Sequence, residues 1–273
     1  MKWSDLKPGL NSVVPPGLVR FWRRKQLQVI RRRNAGRNVS DIFAEVYREN
    51  RWGGERGRFH SGSGSSSEHG QAYANVIAAF IRNHGIRRVV DLGCGDFRIG
   101  AQLVDTGIAY TGVDIVSDLV RKNNQLYASE RVRFACLNII EDELPDGDLC
   151  LIRQVLQHLS NEQIGRVLAN VEKYRHVIVT EHYPAPGALR HKNLDKPCGE
   201  DVRIYDGSAV FLDAPPFNRA VSDGALLDVD AVRCLVAPGE RIRTYLLENP
   251  HDQAAVARAA WGTVSDFCSR TAI

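Results

Sequence analysis

Segments with the patterns of strands and helices alternate between residues 71 and 181, and this alternation limits the chain to few folds. Short apolar runs bounded by turn residues predict five strands, over 87–92, 109–115, 132–137, 147–153 and 176–181. Helical periodicity predicts helices over 71–84, 97–105, 117–128 and 161–173. Strands alternating with helices predict an α/β protein with a doubly wound, mostly parallel sheet. Its ligand site is expected at the carboxyl ends of the strands.

The chain after the fifth predicted strand departs from this alternation. Residues 183–218 contain prolines, glycines and charges of both signs, and they are too many for an ordinary connection. They predict a lid-like insertion that covers a substrate. Apolar stretches at 225–236 and 241–247 then flank Ala-Pro-Gly-Glu at 237–240, a natural hairpin turn. Two late strands joined in this way predict an antiparallel C-terminal edge hairpin and a seven-stranded sheet.

The strongest local motif is VVDLGCGDF, at residues 89–97. Its apolar strand ends in Asp91, and Gly93 and Gly95 leave the following turn without side chains, so that a flat polar ligand can approach the backbone. Asp114, nineteen residues after Gly95, ends the next predicted strand, where a carboxylate can accept both hydroxyls of a ribose. A dinucleotide-binding fingerprint requires a third glycine where this chain has Arg98.

These motifs together resemble those of the class I S-adenosylmethionine-dependent methyltransferases, over about residues 71–182. The resemblance implies a Rossmann-like fold, with S-adenosyl-L-methionine as the cofactor and S-adenosyl-L-homocysteine as the product. It assigns Asp114 to the ribose and Ile115 to the adenine face. Within FACLNIIEDELP the family usually has Asp where this chain has Asn138, whose side-chain oxygen can also accept from the adenine amine. The other cofactor-binding residues expected are Trp52, Asp91, Gly93, Gly95, Ile139 and Arg153.

The resemblance extends upstream of the first strand. IFAEVYRENRWGG and SGSGSS, within residues 41–70, are similar to the lead-in of one bacterial branch of these methyltransferases. They predict a helix followed by a Gly/Ser-rich loop, and this loop and Trp52 would cover the cofactor. A flexible linker is the alternative for the same composition. The methyltransferase domain itself is then expected to span 71–273, with 183–218 as its substrate lid.

Two histidines are candidates for the catalytic base. His158 follows the fourth predicted strand, within DLCLIRQVLQHLSN, and His182 follows Glu181 at the end of the fifth. A hydroxyl acceptor needs a base, and histidine is the natural base near neutral pH. Either ring could instead only shape the pocket or lie at the surface. No metal site is expected, and the acids of the insertion are interpreted as a solvated loop: Asp195, Glu200, Asp201 and Asp206.

Charge divides the chain into a basic head and an acidic body. Residues 1–40 hold ten lysines and arginines against one aspartate, a formal charge of +9, and the remaining residues bring the net charge to +4 by carrying −5. The head could meet an anionic membrane through residues 17–33, bind nucleic acid, or pack on the body. No run of residues is long and apolar enough for a signal peptide or a membrane span. The expected compartment is therefore the cytoplasm, and a peripheral position at the membrane is the alternative.

These observations predict an enzyme that methylates an oxygen of a small molecule or glycan. In-line transfer from the sulfonium would be assisted by a histidine base. One alternative is an RNA methyltransferase that uses the basic head. Another is a non-catalytic nucleotide-binding domain or an oxidoreductase. Composition excludes general disorder, since 44% of the residues are hydrophobic, and cysteines never spaced Cys-x-x-Cys argue against a disulfide scaffold or a cysteine zinc site.

Overall fold

The computed structural model describes residues 16–53, 59–62, 67–231 and 234–248. Seven strands form one sheet in the order β3-β2-β1-β4-β5-β7-β6. The first five strands are parallel, and β7 runs antiparallel to both β5 and β6. The strands are β1 Arg88–Leu92, β2 Ala109–Asp114, β3 Val132–Cys136, β4 Leu149–Arg153, β5 His176–Tyr183, β6 Leu227–Asp230 and β7 Arg241–Leu247. The predicted fold class, with its antiparallel C-terminal edge, is therefore confirmed.

Helices cover both faces of the sheet. They are α1 Pro16–Asn34, α2 Val39–Arg48, α3 Ser67–Asn83, α4 Ala101–Val104, α5 Ser117–Tyr127 and α6 Asn161–Asn170. Alternate residues of a strand point to opposite faces, so Val90 packs in one core with α6, and Val89 packs in the other with α3. The carboxyl ends of the parallel strands consequently meet at one edge of the sheet.

Two predicted elements are much shorter than the sequence pattern indicates. The helix expected over 97–105 is confined to Ala101–Val104, because Phe97 adopts a positive φ of 61° and turns occupy the residues between. The late strand expected over 225–236 extends only over Leu227–Asp230.

The insertion after β5 packs tightly against the segment that follows β4. Arg203 is almost fully buried. Its guanidinium donates to five acceptors, so each of its five N–H groups has a hydrogen-bond partner. The acceptors are the carbonyl oxygens of Leu156, Gln157, Leu159 and Leu194 and Oδ1 of Asn161. The insertion therefore forms a fixed wall beside the carboxyl edge of the sheet, and its action as a lid stays a prediction.

Helix α1 also packs on this insertion. Arg31 donates to Asp201 at 2.8 Å and to Asp206 at 2.5 Å. Arg33 and Arg37 lie 3.3 and 2.7 Å from Glu45 of α2. These acids and arginines neutralise each other within the molecule, so the interpretation of the 195–206 acids as a solvated loop is wrong for Asp201. Among the described residues, none of the helices has the length and apolar character needed to cross a bilayer.

Candidate active site

One cavity of about 330 Å³ opens at the carboxyl edge of the parallel strands. All eleven residues predicted for the cofactor and for catalysis line it, because each follows or ends a strand, or belongs to the covering segment. They are Trp52, Asp91, Gly93, Gly95, Asp114, Ile115, Asn138, Ile139, Arg153, His158 and His182. The fold thus brings together residues from six separate parts of the chain, although their individual roles stay predictions.

The glycine turn after β1 has no room for side chains. Gly93 and Gly95 adopt positive φ values of 72° and 56°, which favour glycine. A Cβ on Gly93 would lie 2.4 Å from Cγ2 of Val155, and one on Gly95 would lie 2.2 Å from Oγ of Ser61. The two glycines therefore keep bare backbone against the cavity.

Asp114 lies beside this turn, at the end of β2. Its Oδ2 accepts the backbone N–H of Gly95 and its Oδ1 accepts that of Val116, each at 3.1 Å. Burial raises the pKa of Asp114 to about 6, against the effect of these hydrogen bonds. Each carboxylate oxygen retains capacity to accept a further hydrogen bond, so the side chain can still bind a diol.

Asp91 lies near the end of β1 and forms part of the cavity wall. The hydroxyl of Tyr110 donates to Asp91 Oδ2 at 2.6 Å, and burial raises the pKa of Asp91 to about 6. The positive charge of Arg153 acts in the opposite direction, which places an arginine near this carboxylate. The Arg153 guanidinium also lies 5.1 Å from the centre of the Tyr73 ring.

Asn138 is already engaged within its own loop. Its Oδ1 accepts the backbone N–H of Ile140 at 3.1 Å, and its Nδ2 donates to Glu141 at 3.2 Å. A carbonyl oxygen has two lone pairs, so one remains for a ligand amine. The adenine contact expected of Asn138 would then be the second hydrogen bond of that oxygen.

The covering segment is visible in part. Trp52 packs edge-on against Tyr47, with ring centres 5.1 Å apart, and lies 5.3 Å from the ring of His158. Ser61 Oγ accepts the backbone N–H of Asp96 at 2.8 Å and lies 3.1 Å from the Tyr47 hydroxyl. The rest of the predicted loop, at 54–58 and 63–66, lies outside the described residues.

Hydrogen bonds to the insertion hold His158 in place. Its Nδ1 lies 3.2 Å from the carbonyl oxygen of Gly199, and the Gly199 N–H donates back to the His158 carbonyl at 3.0 Å. The ring also contacts Phe43 and Trp52. Burial lowers the pKa of His158 to about 4, with a further contribution from the positive charge of Lys196. The imidazole is therefore neutral at pH 7 and is held mainly by packing.

His182 has a carboxylate partner. Its Nε2 lies 3.0 Å from Oε2 of Glu240, which precedes β7, and both side chains are buried. Burial lowers the pKa of His182, and the charge of Glu240 opposes this shift. The adjacent Glu181 accepts the backbone N–H of Leu156 instead. Successive strand residues point to opposite faces, so Glu181 and His182 turn away from each other.

Residues 90–175 match the family model described as a methyltransferase domain. This span contains nearly all of the strands β1 to β4, whose carboxyl ends build the cavity wall described above. The expected methyltransferase domain is therefore confirmed over residues 90–175. None of the curated proteins compared with it by sequence matches.

Several solved methyltransferases are similar to this one at low identity. Magnesium protoporphyrin IX methyltransferase from Synechocystis PCC 6803, with bound S-adenosylmethionine, is 16% identical over 79% of this chain and 100% of its own, with a TM-score of 0.47. The 1,6-didemethyltoxoflavin-N1-methyltransferase from Burkholderia thailandensis is 18% identical over 77% and 87%, with a TM-score of 0.47. The N-methyltransferase NodS from Bradyrhizobium japonicum WM9 is 12% identical over 68% and 89%, with a TM-score of 0.46.

Sequence reasoning missed several groups in the site of this methyltransferase. Glu240 had been noted only as part of a turn, since no local pattern links it to His182. Gln154, which follows β4, has a positive φ of 57°, an unusual conformation for a residue other than glycine. Gln157, three residues later, also lines the cavity. Arg51 and Glu200 form an ion pair at 2.9 Å that lies at another side of the cavity. Among the described residues, no group of three or more His, Cys, Asp and Glu side chains is placed to hold a metal ion.

Proposed function

We propose that this methyltransferase transfers its methyl group to a hydroxyl oxygen of a small molecule or glycan, with a cavity histidine as the base. One observation carries this proposal. Two histidines, His158 and His182, line the same cavity as the predicted cofactor residues, and their surroundings lower the pKa of both. Both rings are thus unprotonated at neutral pH and able to accept a proton.

The cavity wall fits the cofactor. Gly93 and Gly95 line the cavity with bare backbone, against which a flat ligand can lie closely. Asp114 would accept the two ribose hydroxyls. Ile115 and Ile139 would contact the adenine, whose amine would donate to Asn138. Arg153, close to Asp91, would lie toward the carboxylate of the methionine end.

Hydroxyl acceptors depend on the protein more than amines do. When bound, the cofactor supplies an electrophilic methyl group on a positively charged sulfur. A neutral amine can attack such a carbon unaided, whereas a hydroxyl is a poor nucleophile until its proton is accepted. Residues of this chain would therefore align the acceptor oxygen, exclude water and take the proton. An amine that is already neutral makes no such demand on the buried imidazoles.

The remaining wall of the cavity supports a largely uncharged acceptor. Val202 and Tyr205 come from the insertion, and Ala231, Leu235 and Ile242 come from the edge hairpin. Apolar contact combined with a few polar groups is typical of sites for small organic ligands. The charged pair on this side, Arg51 and Glu200, is satisfied internally.

The test is methyl transfer from cofactor carrying a radiolabelled methyl group to a panel of phenols, sugars, amines and carboxylic acids. We expect label to appear on hydroxyl compounds, with single substitutions of His158 and His182 by Gln measured alongside. Label transfer to amines alone, undiminished in both histidine variants, would refute the hydroxyl assignment. The methyltransferase class would stand in that case.

Peripheral contact with an anionic membrane through residues 17–33 is a separate proposal. It draws support from an exposed stripe on α1, where Lys25, Val29 and Arg32 follow one another at i, i+4 and i+7. The test is sedimentation with phosphatidylserine-containing vesicles. Binding should fall in the variant V29D/R32E and should be absent with neutral vesicles. Equal binding by that variant and by wild type would refute the membrane proposal.

The RNA alternative has weaker support, because Arg31, Arg33 and Arg37 form ion pairs with acids of the same chain.

A further inference from the structure

We infer that Glu240 is a positioning residue, which holds His182 as the tautomer protonated on Nε2 and so presents Nδ1 to the acceptor as the base. This inference rests on the proposed function, because it selects one of the two cavity histidines and assigns the proton to a stated atom. It involves a residue that neither the cofactor motifs nor the sequence near His182 indicates.

The surroundings of Glu240 show that its carboxylate is built into the fold. Its side chain is almost fully buried and accepts three consecutive backbone N–H groups. Val236 and Ala237 donate to Oε1 at 2.6 and 2.9 Å, and Leu235 donates to Oε2 at 2.7 Å. A buried carboxylate that accepts three backbone N–H groups is held in one position. The same carboxylate therefore anchors the loop that brings Leu235 to the cavity.

The imidazole of His182 completes this arrangement. Glu240 Oε2 lies 3.0 Å from Nε2 of His182, although the two atoms are not aligned as a hydrogen bond. The carboxylate therefore acts on the ring through its charge, which favours a proton on the nearer nitrogen. The other nitrogen, Nδ1, then carries the lone pair of the neutral ring. His182 lines the cavity, whereas Glu240 does not. The histidine thus separates the carboxylate from the acceptor and can transmit its effect.

His158 lacks such a partner. The group beside its Nδ1 is the carbonyl oxygen of Gly199, which is neutral. The positive charge of Lys196 opposes protonation of the ring and outweighs the charge of Asp201, which favours it. Lys196 is itself buried and donates to the His158 carbonyl. An imidazolium at His158 would be poorly stabilised. An imidazolium at His182 would face a fixed negative charge.

Methyl transfer to the acceptor oxygen forms one bond at the methyl carbon and breaks another. The acceptor oxygen forms the new C–O bond while the methyl carbon separates from sulfur, which keeps the bonding electron pair. The hydroxyl proton passes to Nδ1 of His182. The resulting imidazolium is stabilised by the Glu240 carboxylate and later releases its proton to solvent. No oxidant, metal or second co-reactant is needed.

The tautomer can be measured without any acceptor. Long-range ¹H–¹⁵N correlation spectra of protein labelled at histidine distinguish the two neutral tautomers, and the variant His182→Asn identifies the relevant signals. We expect the protonated nitrogen of wild-type His182 to be Nε2. Glu240→Gln should redistribute the proton between the two nitrogens, and the control Glu181→Gln, altered at a neighbouring buried carboxyl that does not contact this ring, should leave the His182 pattern unchanged. A wild-type ring protonated on Nδ1 would overturn the inference.

Kinetics with an acceptor found in the label-transfer panel provide the second readout. For Glu240→Gln we expect kcat to fall about 10- to 100-fold, as an orienting carboxylate contributes part of general-base catalysis, with KM for the cofactor changed less than about threefold. Glu240→Asp should recover part of kcat. A fall in cofactor affinity equal to the fall in kcat would show a merely structural role and refute positioning. Failure of all hydroxyl acceptors would refute the proposed function and leave the tautomer result standing.

Discussion

Asp114 Oδ2 accepts the backbone N–H of Gly95 at 3.1 Å, which ties the end of β2 to the turn after β1. This one hydrogen bond joins the carboxylate expected to hold a ribose to the glycine expected to face the cofactor. The two neighbouring parallel strands place both residues at the same edge. The nineteen-residue separation in sequence thus becomes direct contact.

The first prediction concerns the pH dependence of cofactor binding. Burial raises the pKa of Asp114 to about 6, so the carboxyl becomes protonated as the pH falls through 6 and then accepts hydrogen bonds from the diol less well. We expect affinity for S-adenosylhomocysteine, measured by calorimetry, to fall between pH 7 and pH 5. Asp114→Asn should bind about 10- to 100-fold more weakly at pH 7, the loss expected for charge-assisted hydrogen bonds, and should lose most of the pH dependence. An unchanged pH profile in that variant would assign the dependence to another group.

The second prediction concerns the glycine turn. Gly93→Ala places a Cβ 2.4 Å from Val155 at a φ of 72°, so we expect a loss of about 2 kcal/mol in the free energy of unfolding, together with weaker cofactor binding. The matched control is Gly165→Ala on α6, where a Cβ meets nothing within 4 Å. That variant should gain up to about 1 kcal/mol, since alanine favours a helix. Urea denaturation measures both, and equal stabilities would contradict the steric argument.

The third prediction concerns the basic head. Arg31→Ala leaves Asp201, whose side chain is 2% exposed, with Lys196 at 3.4 Å as its remaining ion-pair partner. We expect a loss of about 2 kcal/mol, intermediate between a surface pair and a fully buried one. The control Arg32→Ala removes an exposed arginine of the same helix and should change stability by less than about 0.5 kcal/mol. Thermal unfolding compares the two, and an Arg31 variant as stable as wild type would show that the ion pair with Asp201 does not stabilise the fold.

The fourth prediction concerns Glu181. Burial raises its pKa to about 8, above the value near 4.3 of an unfolded chain. The folded state then binds the proton more tightly, so the stability contributed by the protonated acid is present at low pH and is lost as the pH rises toward and through 8. Glu181→Gln cannot ionise. We expect its melting temperature to fall less than that of wild type between pH 7 and pH 9, and parallel losses would show that Glu181 does not carry the effect.

Much of the fold could be predicted because its signals are local. Apolar runs identify the parallel strands to within a few residues, as the predicted 109–115 and the observed Ala109–Asp114 illustrate. The helix predicted over 97–105 was wrong in length because Phe97 turns the chain with a positive φ, a conformation that helical periodicity does not reveal. Asp91, Gly93 and Asp114 could be found because each occupies a known position relative to a strand end. Their convergence on one cavity follows from the parallel sheet.

The sequence by itself determined the order of strands and helices, the glycine turn and the carboxylates at the strand ends, since these depend on neighbours a few residues away. Only the tertiary structure decided which distant charges meet. Strand β7 inserts between β5 and β6, and this brings Glu240 to His182 while the adjacent Glu181 turns to the other face. Likewise, packing of α1 on the insertion makes Asp201, and not an external anion, the partner of Arg31. Such pairings depend on burial and on the arrangement of whole elements, which no local pattern encodes.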